Sequence, residues 1–400
     1  MPRKLKLALI GLGRRGRSSH LPIYPRLNDV FEFVAVCDKE EEVLREVAAE
    51  YGVNAYTSVR DLVAGEELDV VDVVVPGDAH HPICCYLAEN GINIIVETPV
   101  SVTRPMTDLM IEAAERNNVK LEVAENYHRV PMARFQAKVI DSGVIGEVGR
   151  IYRIFHEGGY HGMSMLRLLA GSPPKSILGV THVTDVVPII DRMKRHHSQE
   201  NCSTSFLEFE NGAAATMIYS NVIHARSLGR KNIGIAQIDG TRGAIVENTV
   251  YFTDPADYQS GAIAAAYEPK RSTIEVEGRE VLESISLELP DQEIVWENPY
   301  AHLGVGENNG RGVDMADQLM SIANAVLHDI EPTYGVQEAR LDQEMSLAAA
   351  ESALMNKQPL AFPLRTPSEA EERIQERFKE TYGYDYTDTE PLLDVFYPRR

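Results

Sequence analysis

The chain has little that would staple it covalently, carry it through a membrane or draw it to nucleic acid. Its four cysteines, Cys37, Cys84, Cys85 and Cys202, show no C-x-x-C spacing, and the adjacent pair diverges on any helix. Reduced, buried thiols are therefore expected in place of a disulfide framework. No run of eighteen apolar residues occurs, so no transmembrane helix and no membrane partner are expected. The opening Met1-Pro2-Arg3-Lys4-Leu5-Lys6 is basic but passes directly into an apolar strand, without the apolar helix and cleavage site of a secretory leader, and a cytoplasmic location is the expectation. Positive charge is scarce. There are 39 Lys and Arg against 60 Asp and Glu, a formal net charge of −21, so the basic footprint that nucleic acid requires is missing. No metal site is expected either: His80 and His81 stand side by side with diverging side chains, His196 and His197 read as part of an exposed basic loop with Arg192, Lys194 and Arg195, and no other cluster has ligand spacing.

What remains is an ordinary globular composition, 44% hydrophobic and 25% charged, in a chain long enough for two or three domains. The first third alternates apolar runs (Leu5–Ile10, Phe33–Cys37, Val70–Val75, Ile92–Val96, Leu121–Ala124) with helical patterns near Glu40–Tyr51, Pro82–Glu89 and Thr107–Arg116. That alternation predicts a parallel sheet covered on both faces. After Arg129 the texture changes. A helix over Pro131–Ser142 precedes strand patterns at Cys202–Phe209, Ala213–Tyr219, Ile233–Asp239, Ala244–Phe252 and Ser272–Val276, then helices at Asp314–Leu327 and Val336–Met355. The fold class expected is α/β: an N-terminal domain built on the parallel sheet over 1–128, then an α+β domain over 129–400 with a large open, mainly antiparallel sheet. The tail Tyr382–Arg400 has no periodicity and reads as a loose end or an arm that wraps a neighbour.

Gly11-Leu12-Gly13-Arg14-Arg15-Gly16 follows the first strand and opens a helical stretch. In that context Gly11 permits the tight turn, Gly13 lets backbone approach a pyrophosphate, and Gly16 allows close helix–strand packing. The N–H groups at the helix start face the phosphates. Asp38, 22 residues after Gly16 at the end of the second strand, is placed to accept hydrogen bonds from the adenine ribose and to repel a 2′-phosphate. The domain over 1–128 is therefore expected to be a Rossmann dinucleotide-binding domain, with NAD over NADP, although Arg14, Arg15 and Lys39 are cations that could accommodate the extra phosphate.

Val73-Val74-Val75-Pro76-Gly77-Asp78-Ala79-His80-His81-Pro82 and Ile94-Ile95-Val96-Glu97-Thr98-Pro99 resemble the Gfo/Idh/MocA oxidoreductases, whose members carry a T-P-N-x-x-H stretch after one strand and E-K-P after the next. Pro76 and His81 are matched to the first motif, Glu97 and Pro99 to the second. Glu125-Asn126-Tyr127 resembles the family's inter-domain turn, and Glu157-Gly158-Gly159-Tyr160-His161 its D-x-G-x-H. The resemblance implies cofactor contacts from Pro76, His81, Glu97 and Asn126. Departures stand beside it: Thr98 replaces the lysine, Glu157 an aspartate, and Ser164 a second aspartate. With no lysine, His161 is the candidate general base, its unperturbed pKa lying nearest neutrality. Tyr160, Glu157 and Thr98 are candidate assistants, with Tyr127 and His128 facing the same cleft.

Three functional readings follow. The first is an NAD-dependent oxidoreductase acting on a sugar, sugar derivative or cyclic polyol. The second is a redox-neutral glycosidase or lyase that oxidises its sugar transiently, a route that avoids the paired carboxylates of ordinary glycosidases. The third is a cofactor-binding sensor or inactive partner subunit. His224, Arg226, Arg230 and Lys231 could line a substrate face or a subunit contact, and the open sheet predicts a homodimer or homotetramer.

Overall fold

A computed structural model of the chain describes residues 3–190, 195–224, 234–364 and 367–398. In the first part, β1 (Leu5–Ile10), β2 (Phe31–Cys37), α1 (Glu41–Tyr51), β3 (Asn54–Tyr56), α2 (Val59–Gly65), β4 (Val70–Val73), α3 (His80–Glu89), β5 (Asn93–Val96), α4 (Arg104–Arg116) and β6 (Leu121–Val123) follow in order. The six strands are all parallel and lie in the order β3-β2-β1-β4-β5-β6. Strand order reverses between β1 and β4, which opens a crevice at their carboxyl ends, where such sheets bind ligands. Central strand β4 is buried along its whole length although it reads Val70-Val71-Asp72-Val73, so an aspartate is locked inside an apolar sheet. The edge pair β3 and α2 has no apolar run to reveal it. Ser58 caps α2, its hydroxyl accepting from the amides of Arg60 and Asp61.

The second part contains α5 (Pro131–Asp141), β7 (Val148–Ile154), α6 (Gly159–Ala170), β8 (Pro174–Ile190), β9 (His196–Phe209), β10 (Ala214–Ser220), α7 (Asn221–His224), β11 (Ile235–Gly240), β12 (Gly243–Val246), β13 (Thr249–Phe252), β14 (Ala265–Tyr267), β15 (Lys270–Val276), β16 (Arg279–Glu288), β17 (Glu293–Glu297), α8 (Glu307–Gly310), α9 (Val313–His328), α10 (Val336–Leu354), β18 (Leu360–Ala361), α11 (Glu369–Tyr382) and α12 (Thr389–Leu392). Nine strands form one sheet in the order β14-β13-β12-β11-β7-β10-β9-β8-β18, antiparallel except for the β7–β10 pair; β15, β16 and β17 form a separate small sheet. The stretch Ala244–Phe252, expected as one strand, is a hairpin, because Glu247 turns the chain with φ of 54°. The tail is not a loose end. α11 and α12 fold back on the first domain, with Phe378 and Leu392 buried there.

Helix α10 lies across one face of the large sheet at β8, and Gly179 makes this approach possible. A Cβ at Gly179 would stand 2.0 Å from the Ala349 carbonyl oxygen, and the Gly179 amide donates to Ser352 Oγ at 2.9 Å. Farther out, β8 leaves the covering helix, and Val183, Val187 and Ile190 are exposed. Substituting Gly179→Ala should force backbone apart and cost about 1–3 kcal/mol, the usual range for overpacking. Urea denaturation of the two proteins checks this, with an unchanged midpoint as the contrary outcome.

Candidate active site

The glycine loop is pressed against the end of β4. Gly11 has φ of 101°, and a Cβ there would lie 2.2 Å from the Val74 carbonyl oxygen; a Cβ at Gly16 would lie 2.3 Å from the Gly11 carbonyl oxygen. Leu12 is fully buried under the turn, Gly13 is half-buried, Arg14 is exposed, and a single π-helical turn, Gly16–His20, follows. Asp38 ends β2 and is 9% exposed. Its carboxylate accepts from the Leu12 amide at 2.6 Å and the Glu40 amide at 2.9 Å, so it clamps the loop and starts α1 at once. A glycine turn without room for side chains, opening on a crevice edged by this aspartate, fits a dinucleotide.

Beside this loop lies a buried charge cluster that the sequence reading did not assemble. His20 is fully buried, with Nδ1 2.7 Å from Asp72 Oδ2 and Nε2 2.9 Å from Glu97 Oε1. Tyr24 donates to the same Asp72 oxygen at 2.7 Å. Arg15 Nε donates to Glu97 Oε1 at 2.6 Å, and the Thr98 amide donates to Glu97 Oε2 at 3.0 Å. Burial alone would lower the His20 pKa, but the Asp72 and Glu97 carboxylates outweigh it and raise the pKa to about 9. Burial would likewise raise Glu97, and His20 and Arg15 together hold it well below the usual carboxylate range. Glu97 is therefore an ionised anchor. Arg15, its side chain 42% exposed, also turns its terminal nitrogens to Ser19 Oγ and Met315 Sδ. The signal for this cluster was in the sequence: an aspartate inside Val70–Val75 has to find a partner.

His161 stands in the first turn of α6. Its Nδ1 is 2.7 Å from Oε2 of Glu125, which is fully buried just beyond β6, and the Tyr127 ring lies against the imidazole with centroids 4.5 Å apart. Burial pulls the His161 pKa down and the Glu125 carboxylate more than restores it, so it lies above the ordinary histidine value. Glu125 was overlooked as a functional group, although a carboxylate just past a strand's carboxyl end is where such sheets place chemistry.

The other candidates are distributed less compactly. Tyr160 points away from His161: its hydroxyl is 3.0 Å from that of Tyr334, which donates to Asp342 at 2.5 Å, and Arg167 grips the same carboxylate. Glu157 is buried and paired with Arg153 at 2.5 Å. The Thr98 hydroxyl lies 3.4 Å from Glu97. Asn126 donates to Asp314 at 2.7 Å, and Pro76 leads the turn after β4. His128 lies against Tyr334, not His161. His80 is fully buried with its two ring nitrogens each 2.9 Å from a carbonyl oxygen, those of Pro99 and Val75. It also has the Pro-x-x-x-His spacing of the T-P-N-x-x-H motif, counted from Pro76. His81, one residue on, instead points to the tail, with Nε2 3.0 Å from the Tyr386 carbonyl oxygen. His196 and His197 lie at the start of β9, whereas Arg192, Lys194, Arg226, Arg230 and Lys231 lie outside the described residues. All four cysteines are free, and among the described residues no cluster could hold a metal ion and no helix is long and apolar enough to cross a membrane.

Two outcomes are expected. Gly11→Ala should weaken NAD binding by about tenfold or more, measured by calorimetry, because the loop must leave Val74; a tenfold change corresponds to about 1.4 kcal/mol. The raised His20 pKa contributes stability that is fully present below the unfolded value of 6.5 and is lost as pH rises through about 9. The stability gap between wild type and His20→Gln should accordingly narrow across that window in denaturation series. A constant gap would mean His20 is neutral in the folded protein.

Residues 5–125 match the family model described as "Oxidoreductase family, NAD-binding Rossmann fold". The chain is 26% identical over 266 residues to a D-apiose dehydrogenase of Paraburkholderia graminis, a match covering 61% of this chain and 67% of that one. It is 27% identical over 154 residues to a glycosyl hydrolase family 109 protein of Shewanella sp. (strain W3-18-1), covering 36% of this chain and only 33% of that protein. Its fold is similar to that of the WlbA dehydrogenase of Bordetella pertussis, solved with NADH and UDP-GlcNAcA, with a TM-score of 0.66 at 17% identity over 91% of this chain and 99% of that one. The N-terminal domain of this chain belongs to the Gfo/Idh/MocA oxidoreductase family and is an NAD-binding Rossmann fold.

Proposed function

We propose that this chain is an NAD-dependent oxidoreductase that removes hydride from a carbinol carbon of a sugar, sugar derivative or cyclic polyol. The observation that carries the reading is the Glu125–His161 pair, a histidine oriented by a buried carboxylate at the mouth of a dinucleotide crevice. The Gly11–Gly16 loop and Asp38 would hold NAD, which supplies the hydride acceptor. His161 Nε2 takes the proton of the reacting hydroxyl, and Glu125 stabilises the imidazolium that results. Arg15, anchored on Glu97, presents a cation to the oxygen that becomes the carbonyl, a service Thr98 cannot perform. The polar surroundings of His161, including Thr98, Tyr127 and the Arg153–Glu157 pair, suit a polyhydroxylated substrate better than an apolar one. The D-apiose dehydrogenase similarity supports the same class. The exposed apolar residues on the outer half of β8 support self-association, as a homodimer or homotetramer.

The partial likeness to glycosyl hydrolase family 109 proteins favours a second reading, in which the sugar is oxidised only transiently and a glycosidic bond is broken without net redox change. Denaturing the purified protein and identifying released nicotinamide by mass spectrometry separates the two. Near-stoichiometric retained cofactor, with turnover of glycosides in the absence of added NAD, would select the second. An empty protein that reduces added NAD on a panel of free sugars and polyols selects the first.

Under either reading His161→Ala should lower kcat by about 10²–10⁴-fold, the range for general-base loss. The base works unprotonated, so activity should rise with pH through a pKa above 6.5. Glu125→Gln removes the group that raises it, and the acid limb should move to lower pH while kcat falls. A pH profile that Glu125→Gln leaves in place would remove this pair from the reaction.

A further inference from the structure

The C-terminal segment is anchored to the Rossmann domain by polar contacts as well as by its apolar residues. Helix α11 opens with a capping box, Ser368 with Glu371, and Glu371 also receives the Arg104 amide and side chain at 2.9 Å and 2.5 Å. Farther along, Tyr382 donates to Asp78 at 2.6 Å and the Tyr386 carbonyl meets His81. The chain then crosses α3, with Leu392 fully buried, and Arg60 grips Glu390 through both its carboxylate, at 2.6 Å, and its carbonyl, at 3.0 Å. It then passes Lys39, just beyond the end of β2. There the Lys39 ammonium donates to the carbonyl oxygens of Leu393, at 3.5 Å, and Val395. Asp394, between them, acts electrostatically on Lys39 and lies 3.9 Å from Arg60.

Lys39 directly follows Asp38, the residue at the adenine-ribose position, and a cation there is what a ribose 2′-phosphate would need. Of the cations near that end of the crevice, Arg14 is on the loop and Lys39 is turned onto the tail. We propose that segment 389–397 is a specificity element for the cofactor: it ties the Lys39 ammonium to its own carbonyl groups, sets Asp394 beside it, and so keeps a 2′-phosphate out and the preference on NAD. The inference rests on the NAD-binding assignment of the domain and is independent of the substrate and of His161.

The test measures dissociation constants for NAD and NADP by titration calorimetry on four proteins: wild type, the chain ended after Asp388, that truncation with Lys39→Ala, and full-length Asp394→Ala. Asp394 is exposed, so the last variant keeps the fold. The ratio of NADP to NAD dissociation constants should fall about tenfold on truncation, as expected when one charge-assisted phosphate contact is released, about 1.4 kcal/mol. It should return to the wild-type value when Lys39→Ala is added, and should fall about twofold to threefold in Asp394→Ala. Arg14 is common to all four proteins and cancels from the comparison. A ratio unchanged in both the truncation and Asp394→Ala overturns the proposal. So does a truncation gain that survives Lys39→Ala, or a truncation that unfolds or loses NAD while Asp394→Ala leaves the ratio alone. Wild type that binds neither nucleotide would overturn the NAD-binding reading itself, an outcome distinct from all of these.

Discussion

The carboxylate of Glu97 is the group on which the geometry of the crevice depends. One oxygen collects His20 and Arg15; the other receives the Thr98 amide. These contacts join the turn after β1 to the end of β5, and through His20 they reach Asp72 within β4. A buried anion is costly unless it is paired with a cation or hydrogen-bond donors, and a buried cation unless it is paired with an anion or acceptors. Here each supplies the other's partner. Removing one member would leave a charge uncompensated in an apolar sheet, so the four side chains act as a unit and the loop over them has one position.

A second consequence concerns where positive charge can appear. The chain is strongly acidic, and most of its arginines near the crevice are already paired: Arg15 with Glu97, Arg153 with Glu157, Arg167 with Asp342. Arg15 alone of these three has a side chain much exposed. In the proposed site an anchored cation, Arg15, and a carboxylate-oriented imidazole, His161, form an arrangement suited to moving a proton while holding the developing charge on oxygen.

The large sheet and the tail serve the same crevice from outside. Gly179 lets α10 settle on β8, and α10 carries Asp342, the end of the hydrogen-bonded chain that holds Tyr160. Tyr160 in turn is the neighbour of His161 at the start of α6. The tail, through Glu371 on Arg104 and Tyr382 on Asp78, fastens the loops after β5 and β4 from the other side.

Much of this was legible from the residues alone. The alternation of apolar runs with amphipathic stretches determines the parallel sheet, because strands buried on both faces read as continuous apolar segments. Gly11, Gly13 and Gly16 with Asp38 announce a dinucleotide turn, and at Gly11 and Gly16 the structure leaves no room for a Cβ. Edge strand β3, with no apolar run, and the hairpin hidden in Ala244–Phe252 were not legible, since short edges and a single positive φ leave no periodic trace. His80, not His81, carries the motif's spacing from Pro76, but packing decides that His80 is buried on the Val75 and Pro99 carbonyls while His81, about 100° round the helix, points to the tail. The pairing of Glu125 with His161, of His20 with two carboxylates, and of Lys39 with the final residues joins positions 36, 52, 77 and 354–356 apart in the chain. Local sequence carries the propensity of each segment, but a charge finds its partner only when the fold excludes water around both, and that is a property of the tertiary structure.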